Sequence, residues 1–346
     1  MTSISRFLVL GLIISSLFVS VSAEAAPASK VKLTYRGYEY TNAKICDTDY
    51  SWEKYEDQFG IDMNDIKQGG ANMIKIYYRP GMDKEALDRF MGIANRNGLK
   101  VMMIFWVNHG EDYSRRTGKN NRRQVINEYV EAVKKLKDSP AVEAIGFGSE
   151  NNYFLGKTSK TEWFSLVNDA TRAAKRTGAK QKFFTSNGEI ADLVRFQRLM
   201  PSLDWFGATI YRPDRAAVLA INKQYSRVKK PLFITEFGKD SLTNGVEDED
   251  GQTQILMELT TAFESLRNVV GVSVFQYEDG WHKAGNSCQH DSAAHAQLGG
   301  IASVADRLDN NMSEEWLGVT SQINSDQTAS RPKKKAYYAL QEYWRR

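Results

Sequence analysis

The stretch VEAIGFGSENN, residues 142–152, is an apolar run that closes on a glycine, a serine and a glutamate. Two further runs of this kind are KVMMIFW at 100–106 and LFITEF at 232–237. Such near-continuous apolar runs are typical of parallel strands that are buried on both faces of a sheet. A segment of helical period follows each run, so the chain alternates between strand and helix.

Eight strands are predicted in this way. They lie at 33–40, 73–78, 100–106, 142–148, 182–186, 205–211, 232–235 and 270–277. Helical patterns lie at 61–68, 84–97, 122–137, 161–177, 191–200, 215–228, 252–266 and 334–344. Eight strand–helix units in one domain predict an α/β protein with a closed (β/α)8 TIM barrel. A doubly wound open sheet is the less favoured alternative, because no GxGxxG follows the first strand.

The first 25 residues differ from the rest of the chain. Arg6 precedes an apolar run at 7–21, and Ala23-Glu24-Ala25 offers a small-x-small cleavage site. We therefore predict a signal peptide over 1–25, with an uncleaved anchor as the alternative. The barrel domain then spans 26–346 and is exported to the periplasm or secreted, with no membrane span after cleavage.

Composition narrows the class of protein. The 346 residues are 42% hydrophobic and 25% charged, which excludes collagen-like and disordered chains. The formal net charge of +4 is spread along the chain and does not indicate a nucleic-acid partner. The four histidines lack metal-site spacing, so neither a metal nor a cofactor is expected.

The two cysteines offer a check on the fold. Cys46 follows the first predicted strand and Cys288 follows the eighth, and these strands are neighbours in a closed barrel. In an exported protein such a pair is a candidate disulfide, and two unpaired thiols are the alternative.

The active site of a TIM barrel lies at the carboxyl ends of its strands. Glu150 follows the fourth predicted strand and Glu236 follows the seventh. Retaining cleavage of a glycosidic bond needs two carboxyls about 5–5.5 Å apart, one as nucleophile and one as proton donor. Strands four and seven face each other across the barrel mouth, so the two glutamates can converge on one sugar. For each glutamate alone, a structural ion pair is the alternative.

The order of motifs along the chain resembles the retaining β-glycosidases of clan A. The likeness is greatest to the barrel of β-galactosidase-type enzymes and to β-1,3-glucanosyltransferases. The motifs are NMIKIY at 72–77, SENN at 149–152, ITEFG at 234–238, FQYEDGWHK at 275–283 and SEEWLG at 313–318. The resemblance implies that Glu150 is the acid/base and Glu236 the nucleophile. It further implies that Tyr211 hydrogen-bonds the nucleophile.

Two positions depart from the clan pattern. Ser149 stands where the clan has an asparagine that contacts the sugar 2-hydroxyl, and we expect Asn151 or Asn152 to replace that amide. Lys75 stands where the clan usually has an arginine. A lysine lacks the planar fork of a guanidinium, so Arg79 is a candidate substitute.

Sugar faces are partly apolar, so carbohydrate clefts combine aromatic rings with polar groups. The rings at or past strand ends are Tyr77, Trp106, Tyr153, Tyr277 and Trp281, with His109 and Asn187 beside them. Trp106 and Trp281 are the preferred platforms, and several of the other rings are expected to pack the barrel instead.

These residues predict an exported retaining β-glycoside hydrolase or transglycosylase that acts on an oligosaccharide or polysaccharide. Its two glutamates would act by double displacement, and its only expected partner is the carbohydrate. A lapsed, carbohydrate-binding barrel is the alternative, favoured by Ser149 and Lys75. An enzyme for amino-sugar polymers is a third possibility. The sugar, the linkage and the oligomeric state stay open.

Overall fold

The structure is a computed structural model that describes residues 33–48, 52–283, 285–292, 308–309 and 312–346. The predicted signal peptide lies outside these residues. Eight parallel strands close into a barrel in which chain neighbours pair and the last strand pairs with the first. The barrel strands are β1 (Tyr35–Glu39), β2 (Met73–Tyr78), β3 (Lys100–Phe105), β4 (Val142–Ser149), β5 (Lys182–Gly188), β6 (Phe206–Thr209), β7 (Leu232–Phe237) and β10 (Val269–Val274). The predicted TIM barrel is confirmed.

Helices surround the barrel, one or more after each strand. They are α1 (Glu56–Gln68), α2 (Lys84–Arg96), α3 (Lys119–Leu136), α4 (Lys160–Lys175), α5 (Ile190–Phe196), α6 (Arg215–Ala220), α7 (Asn222–Tyr225), α8 (Glu249–Glu264) and α9 (Lys335–Arg345). Their ends follow local sequence signals. At α4, for example, the Ser159 side chain accepts a hydrogen bond from the Glu162 backbone N–H, and the Glu162 side chain accepts one from the Ser159 backbone N–H, which forms a capping box.

Some predicted bounds were wrong. The helix predicted at 215–228 is two short helices that end at Tyr225, because Ile221 (φ −95°, ψ 11°) interrupts the helix while the apolar spacing continues across it. The strands predicted at 205–211 and 270–277 end at Thr209 and Val274, since the apolar sequence runs past the last ladder pairing. A short hairpin, β8 (Leu242–Thr243) with β9 (Val246–Glu247), was not predicted.

Alternation along each strand divides the buried residues into two sets. One face packs against the helices, and the other fills the barrel interior. The interior cluster contains Met73, Met102, Ile104, Ala144, Phe184, Trp205 and Phe233. On β2, Lys75 and Tyr77 have the same parity as Met73, so both side chains enter the barrel at its carboxyl end.

Candidate active site

Irregularities in β4 and β7 position the two glutamates. On β7 the pairing with β6 advances from Ile234 to Glu236 while β6 advances by one residue, which marks a β-bulge. Thr235 contacts the Ser186 hydroxyl at 2.7 Å, and Glu236 also reaches groups inside the barrel. Strict alternation would have turned Glu236 away from the face that Phe233 and Thr235 share. The bulge therefore brings the Glu236 carboxylate to the barrel mouth.

Two groups on β2 hold Glu236. Lys75 Nζ donates to Glu236 Oε1 at 2.6 Å, and Tyr77 Oη donates to the same oxygen at 2.8 Å. Tyr77 Oη also lies 3.2 Å from Ser149 Oγ, which links the ends of β2, β4 and β7. One carboxylate oxygen of Glu236 therefore accepts from both a cation and a hydroxyl.

A carboxylate that the sequence analysis missed completes this cluster. Glu39, the last residue of β1, pairs in register with Lys75 and forms an ion pair with its ammonium. Both side chains are fully buried. Burial raises the pKa of Glu39 to about 7, partly offset by Lys75. The available signal was a glutamate at the carboxyl end of the first predicted strand, the end at which the active site of a TIM barrel lies.

Glu150 follows β4 directly and interacts electrostatically with Glu236, Lys75 and Glu39. Here β4 also shifts register, between Gly146 and Ser149. Gly148 (φ 73°) and Glu150 (φ 54°) are in the left-handed region, which is unusual for a residue with a side chain. Burial raises the pKa of Glu150 to about 8, and the charge of Glu236 adds to the rise. Glu150 therefore carries a proton near neutral pH.

Two expected roles fall to other residues. Tyr211 lies past the end of β6. Burial raises the pKa of Tyr211, and the charge of Glu236 adds to the rise. The hydroxyl that donates to Glu236 is nevertheless that of Tyr77, not Tyr211. Arg79 lies beyond β2, and Lys75 itself forms the ion pair for which Arg79 was a candidate.

The amides near Glu150 bond to backbone carbonyls. Asn151 Nδ2 donates to Val107 O at 2.9 Å, and Asn152 Nδ2 donates to Gly188 O at 2.9 Å. Asn187 Nδ2 donates to Glu189 O at 2.6 Å. These bonds fix the loops after β4 and β5. That Asn151 or Asn152 replaces the amide missing at Ser149 stays a prediction.

Most of the predicted aromatic residues lie at the barrel mouth. Trp106 packs edge-on against Tyr77, with ring centroids 5.6 Å apart, and lies 5.0 Å from the ring of His109. His109 is exposed, and its Nε2 lies 3.0 Å from the Ser149 carbonyl oxygen. Trp281 is half-buried and stacks on His290 at 4.9 Å.

Tyr277 does not lie at the barrel mouth, as was expected of a residue that binds the sugar. Its side chain is fully buried, and its ring packs against Tyr38 at 5.7 Å and Tyr40 at 6.2 Å. It follows the end of β10, where the core continues beyond the strand. Tyr277 is therefore a core residue and offers no face to a ligand.

Cys46 and Cys288 form a disulfide across 242 residues of sequence. Cys46 N also donates to Ser287 O at 2.8 Å. The bond joins the loop after β1 to the loop after β10, as predicted from their adjacency in a closed barrel.

Other carboxylates at this end of the barrel have structural partners. Glu189 forms a bidentate ion pair with Arg212, with both contacts at 2.6 Å. Glu278 accepts hydrogen bonds from Thr41 and Ala43, and Asp279 pairs with Lys334. Within the described ranges, no three His, Cys, Asp or Glu side chains are grouped to hold a metal ion.

Residues 200–304, which include β6, β7 and β10, match the family model described as glycosyl hydrolase catalytic core. No curated protein sequence matches the chain. This match covers less than a third of the chain and includes Glu236, and the resemblance to glycoside hydrolases is confirmed.

Solved structures with the same fold include several β-glucuronidases. The enzyme from Bacteroides uniformis is 14% identical and matches 90% of this chain and 35% of its own, with a TM-score of 0.61. That from Ruminococcus gnavus is 15% identical over 91% and 50% of the two chains, with a TM-score of 0.61. That from Parabacteroides merdae is 14% identical over 90% and 37%, with a TM-score of 0.63. The chain thus spans between a third and a half of these enzymes, and the likeness shows the barrel fold.

Proposed function

We propose that this protein is an exported retaining β-glycosidase in which Glu236 is the nucleophile and Glu150 the acid/base. The observation that carries the proposal is the contrast between the two carboxyls. Glu236 accepts from a buried ammonium and a phenol, whereas burial and the charge of Glu236 raise the pKa of Glu150 to about 8. Two neighbouring carboxyls in such different environments match the roles of nucleophile and acid.

In the first step, Glu236 attacks the anomeric carbon. Lys75 and Tyr77 both bind Oε1, which leaves Oε2 to form the bond to carbon. The bond from that carbon to the glycosidic oxygen breaks, and Glu150 gives its proton to the departing oxygen. The product is a glycosyl ester on Glu236 and a released alcohol.

In the second step, Glu150 acts as the base. The ester on Glu236 carries no charge, so the repulsion that helps to raise the pKa of Glu150 is removed. Glu150 then accepts a proton from water or a sugar hydroxyl as that oxygen attacks the anomeric carbon. Glu236 leaves as a carboxylate, and the β-configuration is restored.

The lapsed-enzyme alternative depended on Ser149 and Lys75. In this geometry Lys75 makes a 2.6 Å contact with Glu236, the interaction that the substitution put in question. Ser149 lies against Tyr77 and so supports the donor to the nucleophile. Both positions are thus used within the cluster, which favours an active enzyme.

Export is part of the proposal. It is supported by the apolar amino-terminal segment and by the Cys46–Cys288 disulfide, since disulfides persist in oxidising compartments. None of the helices that the structure describes is long and apolar enough to cross a membrane.

The test is the release of reducing ends from β-glucans, galactans, mannans and amino-sugar polymers. We expect turnover of one class, with Glu150→Gln and Glu236→Gln each lowering it by at least about 100-fold. Glu85→Gln is the matched control, because that side chain is 85% exposed on α2, and it should leave turnover unchanged. Turnover that survives Glu236→Gln would contradict the assignment.

A further inference from the structure

A surface of ring-bearing side chains extends outward from the two glutamates. Trp106, His109, Tyr153 and Phe154, here called the β3–β4 platform, follow strands β3 and β4. The ring centroids lie 5.0 Å apart for Trp106 and His109, 5.0 Å for His109 and Phe154, and 6.2 Å for Tyr153 and Phe154. Phe154 is 47% exposed and Tyr153 is 38% exposed. Three successive ring-to-ring steps make this surface longer than one sugar ring.

The platform is continuous with the catalytic cluster at both strands. Trp106 packs edge-on against Tyr77, which donates to Glu236. Tyr153 N donates to Glu150 O at 2.9 Å, so its position is tied to the turn that carries the proposed acid. The ring of Tyr153 lies over Gly188, where an added Cβ would overlap it.

A polar cavity adjoins the platform at Trp106. Its volume is about 190 Å³, and Trp106 and Asn108 form part of its wall. Other lining residues come from the loop before α3 and from α3 itself, including Glu111, Asn121 and Glu128. Asn121 Nδ2 donates to Glu111 Oε2 at 3.1 Å.

The two glutamates that line this cavity disfavour ligands that carry a carboxylate. Of the residues described as lining it, two are glutamates and none is a lysine or an arginine. Carboxylate and amide oxygens accept hydrogen bonds from sugar hydroxyls, whereas they repel a carboxylate. A cavity smaller than the roughly 300 Å³ of a typical ligand pocket suits one sugar ring or part of one.

We propose that the β3–β4 platform and the adjoining cavity bind the leaving-group side of an extended β-linked glycan whose sugars carry no carboxylate. The inference rests on the proposed function, because it takes Glu150 as the acid. The acid must reach the oxygen that departs with the leaving group, and the platform continues from the turn that holds this acid. The apolar faces of successive sugars would lie on the rings.

The experiment measures both binding and turnover. Tryptophan fluorescence of the Glu236→Gln protein measures the binding of oligosaccharides of two to six units. The neutral and amine-bearing series are cello-, laminari-, manno- and chitosan oligosaccharides, and mannuronan oligosaccharides are the carboxylate-bearing series. The same series is added to Phe154→Ala in that background. Tyr338→Ala is the matched control, because Tyr338 is a 55% exposed aromatic residue on α9. Turnover of the glycan class that binds is then compared in proteins that keep Glu236, namely the unmodified protein, Phe154→Ala and Tyr338→Ala.

We expect affinity to rise with chain length in one neutral or amine-bearing class. Phe154→Ala should weaken binding of the longest oligosaccharide about tenfold and leave the disaccharide unchanged. Length-dependent binding without turnover by the unmodified protein would support the platform while refuting the proposed hydrolysis. Equal affinities in Phe154→Ala and its parent, tightest binding of mannuronan, or binding of no glycan would overturn the inference.

Discussion

Lys75 Nζ lies 2.6 Å from Glu236 Oε1 and forms a second ion pair with Glu39, so one buried ammonium serves two carboxylates. Burial lowers the pKa of Lys75, but the charges of Glu236 and Glu39 outweigh it and leave the pKa raised. Lys75 thus stays charged. An arginine in its place would need more room in a site where the lysine is already fully enclosed.

Replacing Lys75 by methionine should remove both activity and stability. Glu39 and Glu236 would then be buried together without the ammonium that pairs with both, and breaking such a buried ion pair costs about 3–5 kcal/mol. We expect kcat/KM to fall by at least about 100-fold and the urea midpoint to fall with it. Kinetics and equilibrium unfolding at pH 7 measure the two effects. Unchanged kcat/KM in a folded Lys75→Met protein would refute the role of this ion pair.

The pH dependence of kcat/KM should report on Glu150. Its pKa, raised to about 8, predicts that activity declines above about pH 8 as the acid loses its proton. The charge of Glu39 contributes to that rise, so Glu39→Gln should move the alkaline limb to lower pH. A purely structural Glu39 would lower stability and leave the position of the limb unchanged.

Glu150→Gln should stabilise the protein while it removes activity. The pKa of Glu150 is raised in the folded state from an ordinary value of 4.5 to about 8, so the unfolded state loses its proton first as pH rises. The wild-type carboxyl therefore costs stability that increases between pH 4.5 and pH 8, and glutamine carries no such cost.

Thermal unfolding at pH 5 and pH 8 measures this effect. We expect a gain of about 0.5–2 kcal/mol at pH 8 that is smaller at pH 5. Glu85→Gln serves as the control, because it makes the same chemical change at a side chain that is 85% exposed on α2. A variant that is less stable than the wild type at pH 8 would contradict the environment described for Glu150.

The Cys46–Cys288 disulfide should contribute strongly to stability. It closes a loop of 242 residues, for which the chain-entropy model gives about 4–5 kcal/mol. The urea midpoint should therefore fall when reductant is added to the wild-type protein. The double variant Cys46→Ser/Cys288→Ser should start at the lower midpoint and show no response to reductant. Equal midpoints for all samples would mean that the bond does not form.

The barrel could be predicted because its strands are buried on both faces and therefore appear as apolar runs. The details of the site were harder to predict from the sequence, since local irregularities of the strands decide them. The bulge before Glu236 turns this side chain to the same side as Phe233 and Thr235, and alternation alone predicts the opposite. Glu236 was found through its position at a strand end and through the family resemblance.

The partners of Glu236 could likewise be predicted only in part from the sequence. Tyr77 and Lys75 share a strand face, so their closeness follows from β2, yet which tyrosine reaches Glu236 depends on where β6 ends. Glu39 was missed because no motif marks it, although its register opposite Lys75 explains its role. Tyr277 was misassigned because the core continues past β10.

Azide rescue tests the central assignment most directly. With a β-aryl glycoside of the class that is turned over, azide should restore activity to Glu236→Gly and give the α-glycosyl azide, because it attacks from the face opposite the leaving group. In Glu150→Ala it should intercept the glycosyl ester and give the β-glycosyl azide. We expect this pair of products, which NMR distinguishes. A β-azide from Glu236→Gly, or rescue of neither variant, would contradict the assignment of Glu236 as nucleophile and Glu150 as acid/base.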